Sequence, residues 1–449
     1  MRLETALFLA GGLSIGNIAF AQCSGLLSST AISTSVSGFT VTATMQNLPA
    51  GYSVRWTNGT GSGSYCSNPG SWTYASPGSY NITGAIYSAS GCSTSFPTSC
   101  SRVATVTVTG VSGYNMQYWD ASVANAWGGS DYTWVGDFNG DGYQDIASAS
   151  GGNVYMKLGQ STHSFRSETW PVSNQWGGPG YTWAGDFNRD GITDIASASG
   201  GVIYMKLGTG SGFRSETWSV ANSWGGSSFT KVGDFNGDGY KDIASASGGN
   251  VYMKLGQAGG FRSETWVVTN QWGGGDYTWA ADFNRDGRTD IASASGGTIY
   301  VKYGGSGGFT SSAATVANNW GGSAFTWVAD FNGDGYTDIA SANGDVVYMK
   351  FGNSAGFSSS NWTVPNQWPT GYVWVADVNK DGRADIVSGS GSTVTARISD
   401  GSRFLVQNYT LNNGWGGSGY TFPMDVGNDK DFDIVSGDGG TLHVKESIN

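Results

Sequence analysis

The chain has 449 residues, with Gly high at 73, Pro low at 9, and charged residues at 12% against 14% aromatic; a disordered chain shows the opposite balance. A net charge of −11 and a pI near 4.5 argue against nucleic acid and anionic membranes as partners. The wealth of Gly, Ser, Thr, Tyr and Trp points to short strands and tight turns.

In chain order, residues 1–21 read as a signal peptide. Arg2 precedes an apolar run from Ala6 to Phe20, and Ala19-Phe20-Ala21 supplies the small-x-small cleavage pattern. The run is short and Gly-rich for a transmembrane helix, so a secreted protein without membrane insertion is expected. Residues 22–112 hold all four cysteines, Cys23, Cys66, Cys92 and Cys100. An even count in an exported segment predicts two disulfides. Three connectivities are possible; Cys92–Cys100 with Cys23–Cys66 is favoured, because the first closes a short local loop. Alternating segments begin at Phe39, Tyr52, Ser79 and Val103 and predict a small β-sandwich. The stretch YASPGSYNITGAIY from Tyr74 resembles the PKD-type immunoglobulin-like sandwich, whose members are usually spacers or adhesion modules.

From residue 113 onward the chain repeats itself. GDFNGDGYQDIASAS from Gly136 recurs from Gly185, Gly233, Ala281, Ala329 and Ala376, and a decayed copy, MDVGNDKDFDIVSGD, starts at Met424. The lead aspartates are Asp137, Asp186, Asp234, Asp282, Asp330, Asp377 and Asp425, spaced by 49, 48, 48, 48, 47 and 48 residues. Each unit parses into four strands; in the first these are Tyr132 to Phe138, Asp145 to Ser150, Asn153 to Leu158 and Phe165 to Val172. Seven four-stranded units predict an all-β chain: a seven-bladed β-propeller over 113–449 behind the small N-terminal sandwich. The last unit lacks a fourth strand, and Tyr114 to Ser122 resembles a spare one. The expectation is that this N-terminal strand completes blade seven and removes an open edge.

The Asp-rich loop joins the first and second strands of each unit. In loop one, Asp137, Asn139, Asp141 and Asp145 present side-chain oxygens at positions 1, 3, 5 and 9; Gly at position 6 permits a sharp turn, and Tyr143 offers its carbonyl. Calcium takes six to eight oxygen ligands, and so many carboxylates on one short loop would repel one another without a cation. The same set recurs as Asp186, Asn188, Asp190, Ile192 and Asp194; Asp234, Asn236, Asp238, Tyr240 and Asp242; and Asp282, Asn284, Asp286, Arg288 and Asp290. It continues as Asp330, Asn332, Asp334, Tyr336 and Asp338, and as Asp377, Asn379, Asp381, Arg383 and Asp385. The six intact loops hold 18 of the 33 acidic residues, so six bound Ca2+ would add +12 against the −11. The competing reading is Asx-type turn chemistry without metal. In loop seven Gly427 replaces Asn and Lys430 replaces Gly, so weak or absent calcium is expected there.

These loops, the seven-fold count and the spare strand resemble the FG-GAP/VCBS repeat family across residues 114–449. Similar repeats build the propeller of integrin α-subunits and lectins of the Psathyrella velutina type, which bind N-acetylglucosamine and sialic acid. The uniform blades look closer to the lectins. The resemblance implies the fold, Ca2+ as cofactor, and glycans or glycoconjugates on a cell surface or polymer as partners.

In a four-stranded meander the Asp loops lie on one face, and the turns between strands two and three lie on the other, with the connections between blades. That second face carries a repeated Asn-x-Trp element: Asn125/Trp127, Asn174/Trp176, Asn222/Trp224, Asn270/Trp272, Asn318/Trp320, Asn366/Trp368 and Asn413/Trp415. Aromatic faces stack on sugar C–H surfaces and Asn binds hydroxyls, so these are candidate ligand residues. The alternative is a Trp wedged between blades. A platform predicts that Trp176→Ala and Trp272→Ala lose avidity with little change in Tm; a wedge predicts a large loss of stability. A second row, Trp134, Trp183, Trp279, Trp327 and Trp374, is expected to pack. The pairs Arg166/Glu168, Arg214/Glu216 and Arg262/Glu264 are expected to be solvated. No motif suggests catalysis: His163 and His443 do not recur and read as surface residues. Two other readings stay open, an integrin-like adhesion module and a calcium-dependent polysaccharide lyase or hydrolase; an enzyme should carry one atypical blade.

Overall fold

The structure is a computed structural model. It describes residues 31–37, 40–48, 50, 52–57, 64–65, 68–73, 78–87, 101–108, 116–364, 368–369, 372–430 and 432–447. The signal segment, all four cysteines with their predicted disulfides, and Asn366 lie outside these residues. Contacts divide the chain into two compact units, Met1–Ser112 and Gly113–Asn449.

The first unit contains β1 (Ala31–Ser37), β2 (Thr40–Gln46), β3 (Ser53–Thr57), β4 (Ser64–Tyr65), β5 (Gly70–Thr73), β6 (Gly78–Tyr87) and β7 (Ser101–Val108). They form two sheets, β1-β2-β5 and β4-β3-β6-β7. Ala43 and Met45 of the first sheet share a buried core with Val54, Trp56, Ile82 and Ile86 of the second. The period-2 alternation of β2, β3 and β6 supplies these residues. β1, β4 and β5 were not anticipated from the sequence.

The second unit is a ring of seven four-stranded antiparallel sheets, and no α-helix occurs among the described residues. We label the strands of each blade A to D. In blade one they are Thr133–Gly136, Asp145–Ser150, Asn153–Gln160 and Ser164–Pro171. Strand A has four residues and strands C and D eight, the taper a radial blade requires. In blade six the strands are Val373–Ala376, Asp385–Ser390, Thr393–Ser399 and Phe404–Thr410. Blade seven draws strands A to C from Thr421–Met424, Asp433–Asp438 and Thr441–Ser447, and its fourth is β8 (Met116–Ser122), paired from Thr441↔Ser122 to Ser447↔Met116. The spare N-terminal strand therefore closes the ring, as expected from the sequence.

The hydrophobic core lies at the joints between blades. Phe138, Val154, Met156, Leu158 and Trp170 of blade one bury against Ile195, Phe213 and Trp176 of the next. A hydrogen bond ties the same joint: Tyr132 donates its hydroxyl to the Gly177 carbonyl at 2.8 Å. Tyr181, Tyr277, Tyr372 and Tyr420 repeat this bond around the ring. Phe229 and Phe325 occupy the position in blades three and five.

Both histidines sit at the seam of the ring. Glu446, 3% exposed, accepts hydrogen bonds from Gln117 (2.8 Å) and Trp119 (2.6 Å) and pairs with His163 of blade one. His443 is half-buried, with Nδ1 2.7 Å from Asp120 and 2.9 Å from the Tyr118 hydroxyl. The expectation of two surface histidines is therefore corrected for His443, because ring closure places β8 over it.

Candidate functional site

The Asp loops are built alike. In loop one Asp137 accepts from the N–H of Gly140 (2.7 Å) and Gly142 (2.8 Å), and Asn139 and Asp141 bond each other and the turn. Gly142 has φ +88° and its equivalents Gly191, Gly239, Gly287, Gly335 and Gly382 lie between +84° and +87°, or +81° at Gly287, the left-handed turn expected at position 6. Phe138, at position 2, is fully buried and anchors the loop to the core.

Asp145 is wholly buried and accepts from the N–H of Phe138 (3.0 Å) and Gly159 (2.8 Å). Burial pushes its carboxyl up to about 7, against those two donors, and the charges of Asp141 and Asp137 push the same way. Asp194, Asp242, Asp290 and Asp338 behave alike, and Asp385 and Asp433 rise to about 8. An all-oxygen donor set around a carboxylate that is costly to ionise alone fits a hard cation such as Ca2+. One detail departs from the sequence reading. Among the described residues, only Asp425, Asp429 and Asp433 of loop seven bring three carboxylate oxygens within 4.8 Å of one another. In loop seven, as in the intact loops, position 1 also accepts from loop N–H groups: Asp425 from those of Asp429 and Lys430, Asp137 from those of Asp141 and Gly142.

Neighbouring loops are linked in pairs. Arg189 reaches the Asp238 carbonyl, Arg285 that of Asp334 and Lys380 that of Asp429. These cations stand at position 4 of even-numbered loops with φ between +59° and +64°, where odd-numbered loops one, three and five have Gly140, Gly237 and Gly333. This two-blade alternation is visible in the sequence but is easily masked by the stronger one-blade period.

On the opposite face, all seven tryptophans of the Asn-x-Trp elements are half-buried and wedged between blades. Trp176 donates its indole N–H to the Gly151 carbonyl of the preceding blade at 2.8 Å. Trp127, Trp224, Trp272, Trp320, Trp368 and Trp415 do the same to Gly439, Gly200, Gly248, Gly296, Gly344 and Gly391. Trp134 stacks on Trp176 at 6.3 Å between centroids, and Trp279, Trp327 and Trp374 lie likewise against Trp320, Trp368 and Trp415. The other side is taken by a cation that sequence reasoning missed. Lys206, fully buried, holds its ammonium 4.4 Å over Trp176 and donates to the Gln175 carbonyl at 2.6 Å.

Lys157, Lys254, Lys302, Lys350, Arg397 and Lys445 cover the other six tryptophans in the same way. Burial pulls each of these lysines down to about 8, while the indole face favours the charged form. The tryptophans are wedges, and what they offer a ligand is an edge. Trp176→Ala and Trp272→Ala are accordingly expected to cost about 3 kcal/mol of stability each, measured as the shift in urea midpoint. Unchanged midpoints would contradict the wedge.

Those edges line clefts at the blade joints. Gly129, Tyr132, Ala149, Ser150, Gly151 and Trp176 enclose about 290 Å³. The equivalent residues Gly226, Phe229, Ala246, Ser247, Gly248 and Trp272 enclose about 320 Å³. Asn125, Asn174, Asn222, Asn270, Asn318 and Asn413 are exposed on this face, the first five beside the turn glycines. Arg166, Arg214 and Arg262 pair with Glu168, Glu216 and Glu264 on the outer strands, and each glutamate also accepts the indole N–H of Trp170, Trp218 or Trp266.

The sequence matches the FG-GAP-like repeat profile over residues 137–197, 186–245, 234–293, 282–341 and 330–388. No curated protein sequence matches the chain. Among solved structures, the chain is similar to an Agrocybe aegerita lectin described as recognising non-reducing terminal N-acetylglucosamine. The TM-score is 0.55 at 16% identity, covering 88% of this chain and 95% of that one. It is also similar to BBS1N in complex with ARL6DN (TM-score 0.45, 11% identity, 75% and 97% coverage) and to a Lactobacillus plantarum protein (0.43, 12%, 81% and 98%). At these identities the likeness is one of fold.

Proposed function

Because the chain belongs to the FG-GAP-like repeat family, we propose that it is a secreted, multivalent carbohydrate-binding protein, stabilised by calcium, that performs no chemistry on its ligand. The observation that carries this reading is the repeated joint cleft. Each of the two clefts combines aromatic edges, a serine and small glycine and alanine neighbours in a hollow on the face away from the Asp loops. Such walls suit a pyranose, which presents C–H patches and hydroxyls together. Repetition of a modest site around a ring gives avidity for a polymer or a cell surface carrying many copies of one glycan. The fold shared with a lectin that recognises terminal N-acetylglucosamine supports the same class of ligand.

Calcium would be held in each intact loop by the Asp, Asn, Asp and Asp side chains at positions 1, 3, 5 and 9 and the carbonyl at position 7. Its contribution is charge neutralisation at a buried carboxylate, which fixes the loop; the loops lie across the blade from the clefts, so its role is structural. A glycan array probed with the full chain, with and without EDTA, tests the reading. Binding to a defined group of glycans that weakens in EDTA is expected. Silence across a broad array would refute carbohydrate binding and favour a protein-binding adhesion module.

A further inference from the structure

Blade six departs from the others at one place, and its changes are concerted. Elsewhere the strand B serine (Ser148, Ser197, Ser245, Ser293, Ser341, Ser436) accepts the N–H of the glycine after the wedge Trp, at 2.7–2.9 Å. In five of those blades it also shares a hydrogen bond with a strand A threonine such as Thr133. Opposite it on strand C stands a tyrosine in blades one to five, paired as Ser148↔Tyr155. In blade six the glycine is Pro369, which has no N–H; the threonine is Val373, which has no hydroxyl; and the tyrosine is Thr395, in register with Ser388. The usual lysine is Arg397, which donates to Ser388 Oγ at 2.8 Å.

Beside these residues lies a hollow of about 450 Å³ lined by Trp368, Pro369, Ser388, Ser390, Thr393 and Thr395, larger than the two joint clefts above and within the usual range for small-molecule sites. Ser388 is 2% exposed. Its oxygen is occupied by the guanidinium, and its hydroxyl proton has no acceptor among the described residues. A buried hydroxyl with a polarised, unspent proton at the wall of a cavity demands an acceptor. Thr395 is oriented by donating to Asn408 at 2.7 Å, while the Trp368 edge and the Pro369 ring form the apolar wall.

We infer that the blade-six hollow is a dedicated pocket for one neutral sugar residue, with Ser388 donating to a ligand oxygen and Trp368 and Pro369 meeting its C–H patch. This rests on the carbohydrate reading above and adds a single larger site to the smaller repeated ones. The room in the pocket comes from Thr395 standing where blades one to five carry a tyrosine, so restoring that tyrosine closes it.

The test is calorimetric titration of the full chain with methyl glycosides of N-acetylglucosamine, galactose and mannose. Wild type is expected to show one site per chain that is tighter than any others. Thr395→Tyr should remove that site, with at least a tenfold loss, while the array pattern for polymeric glycans persists. Ser388→Ala, which leaves the cavity open, should weaken it about two- to tenfold, the worth of one hydrogen bond, and covers the case in which the larger tyrosine impairs folding. Tyr348→Thr in blade five should create no equivalent site, because Gly321 and Thr326 still occupy Ser341. Unchanged affinity and stoichiometry in Thr395→Tyr overturns the pocket alone. Absence of any glycoside or array binding by wild type overturns the pocket together with the reading on which it rests.

Discussion

Metal-stripped protein is expected to unfold at a far lower temperature than calcium-loaded protein at pH 8, with the two converging near pH 4. The position-nine aspartates drive this. Their carboxyls sit at about 7 in Asp145, Asp194, Asp242, Asp290 and Asp338, and at about 8 in Asp385 and Asp433, against an ordinary 3.8. Between pH 4 and 7–8 the metal-free folded state holds protons that the unfolded state has released. Its stability is therefore fully present below about pH 4 and is lost as pH rises through 7–8. Each fully affected group tilts the curve by about 1.4 kcal/mol per pH unit. Two or three acting together across three units match the ~5–15 kcal/mol stability of a typical domain. Calcium would bind the ionised form, so its stabilisation is expected to grow over the same window. Differential scanning calorimetry from pH 4 to 8.5, with and without millimolar Ca2+, measures both curves. Coincident midpoints at pH 8 would refute the calcium assignment; curves that stay parallel would refute its link to the buried carboxyls.

Deleting residues 1–122 is expected to abolish the folded monomeric ring. The deletion removes all seven backbone pairs between β8 and Thr441–Ser447 and exposes the edge of the latter. It also takes Gln117 and Trp119 from the buried Glu446 carboxylate. Stripping partners from a buried charge costs about 3–5 kcal/mol by itself, and an unpaired flat edge recruits another chain. Aggregates or strand-exchanged oligomers are the expected products in size-exclusion chromatography with light scattering. A permutant carrying residues 113–122 after Asn449 should recover the monomer. A monodisperse, cooperatively unfolding fragment of 123–449 would show that the clasp is dispensable.

The ring itself was legible because its determinants are local and repeated. The spacing of the lead aspartates counts the blades, the unit lacking strand D and the orphan segment before Ala124 fit each other, and Gly142 and its equivalents stand where a positive φ is needed. The wedge was only half legible. An Asn-x-Trp element says that a Trp recurs at each connection, not what lies on its two sides. Its partners are Trp134-type residues some 42 positions earlier and Lys206-type residues 30 positions later, contacts that no local pattern encodes. The lysines were hidden for a further reason: in VYMKLG an alternating strand reads Lys157 as solvent-facing, and only the connection folding over it buries it. Blade six shows the converse. Pro369, Val373, Thr395 and Arg397 are plain in an alignment of the repeats, yet each looks like ordinary drift until register brings all four around Ser388.

The tyrosine staples between blades carry a consequence for how the ring breathes. Five joints are stitched by a Tyr hydroxyl to the next blade's connection; the joints after blades three and five, with Phe229 and Phe325, are not. One missing hydrogen bond is worth about 1 kcal/mol, roughly a fivefold difference in how often a joint parts. In a ring whose units touch only their neighbours, such differences are not averaged away. The propeller is thus divided by two weaker seams into a two-blade arc, four and five, and a five-blade arc that runs through the clasp. Local opening is concentrated at these seams rather than shared equally. The seam after blade five borders the blade-six hollow, so one of the two joints that lack the tyrosine bond adjoins the stretch of the ring that departs from its siblings in shape.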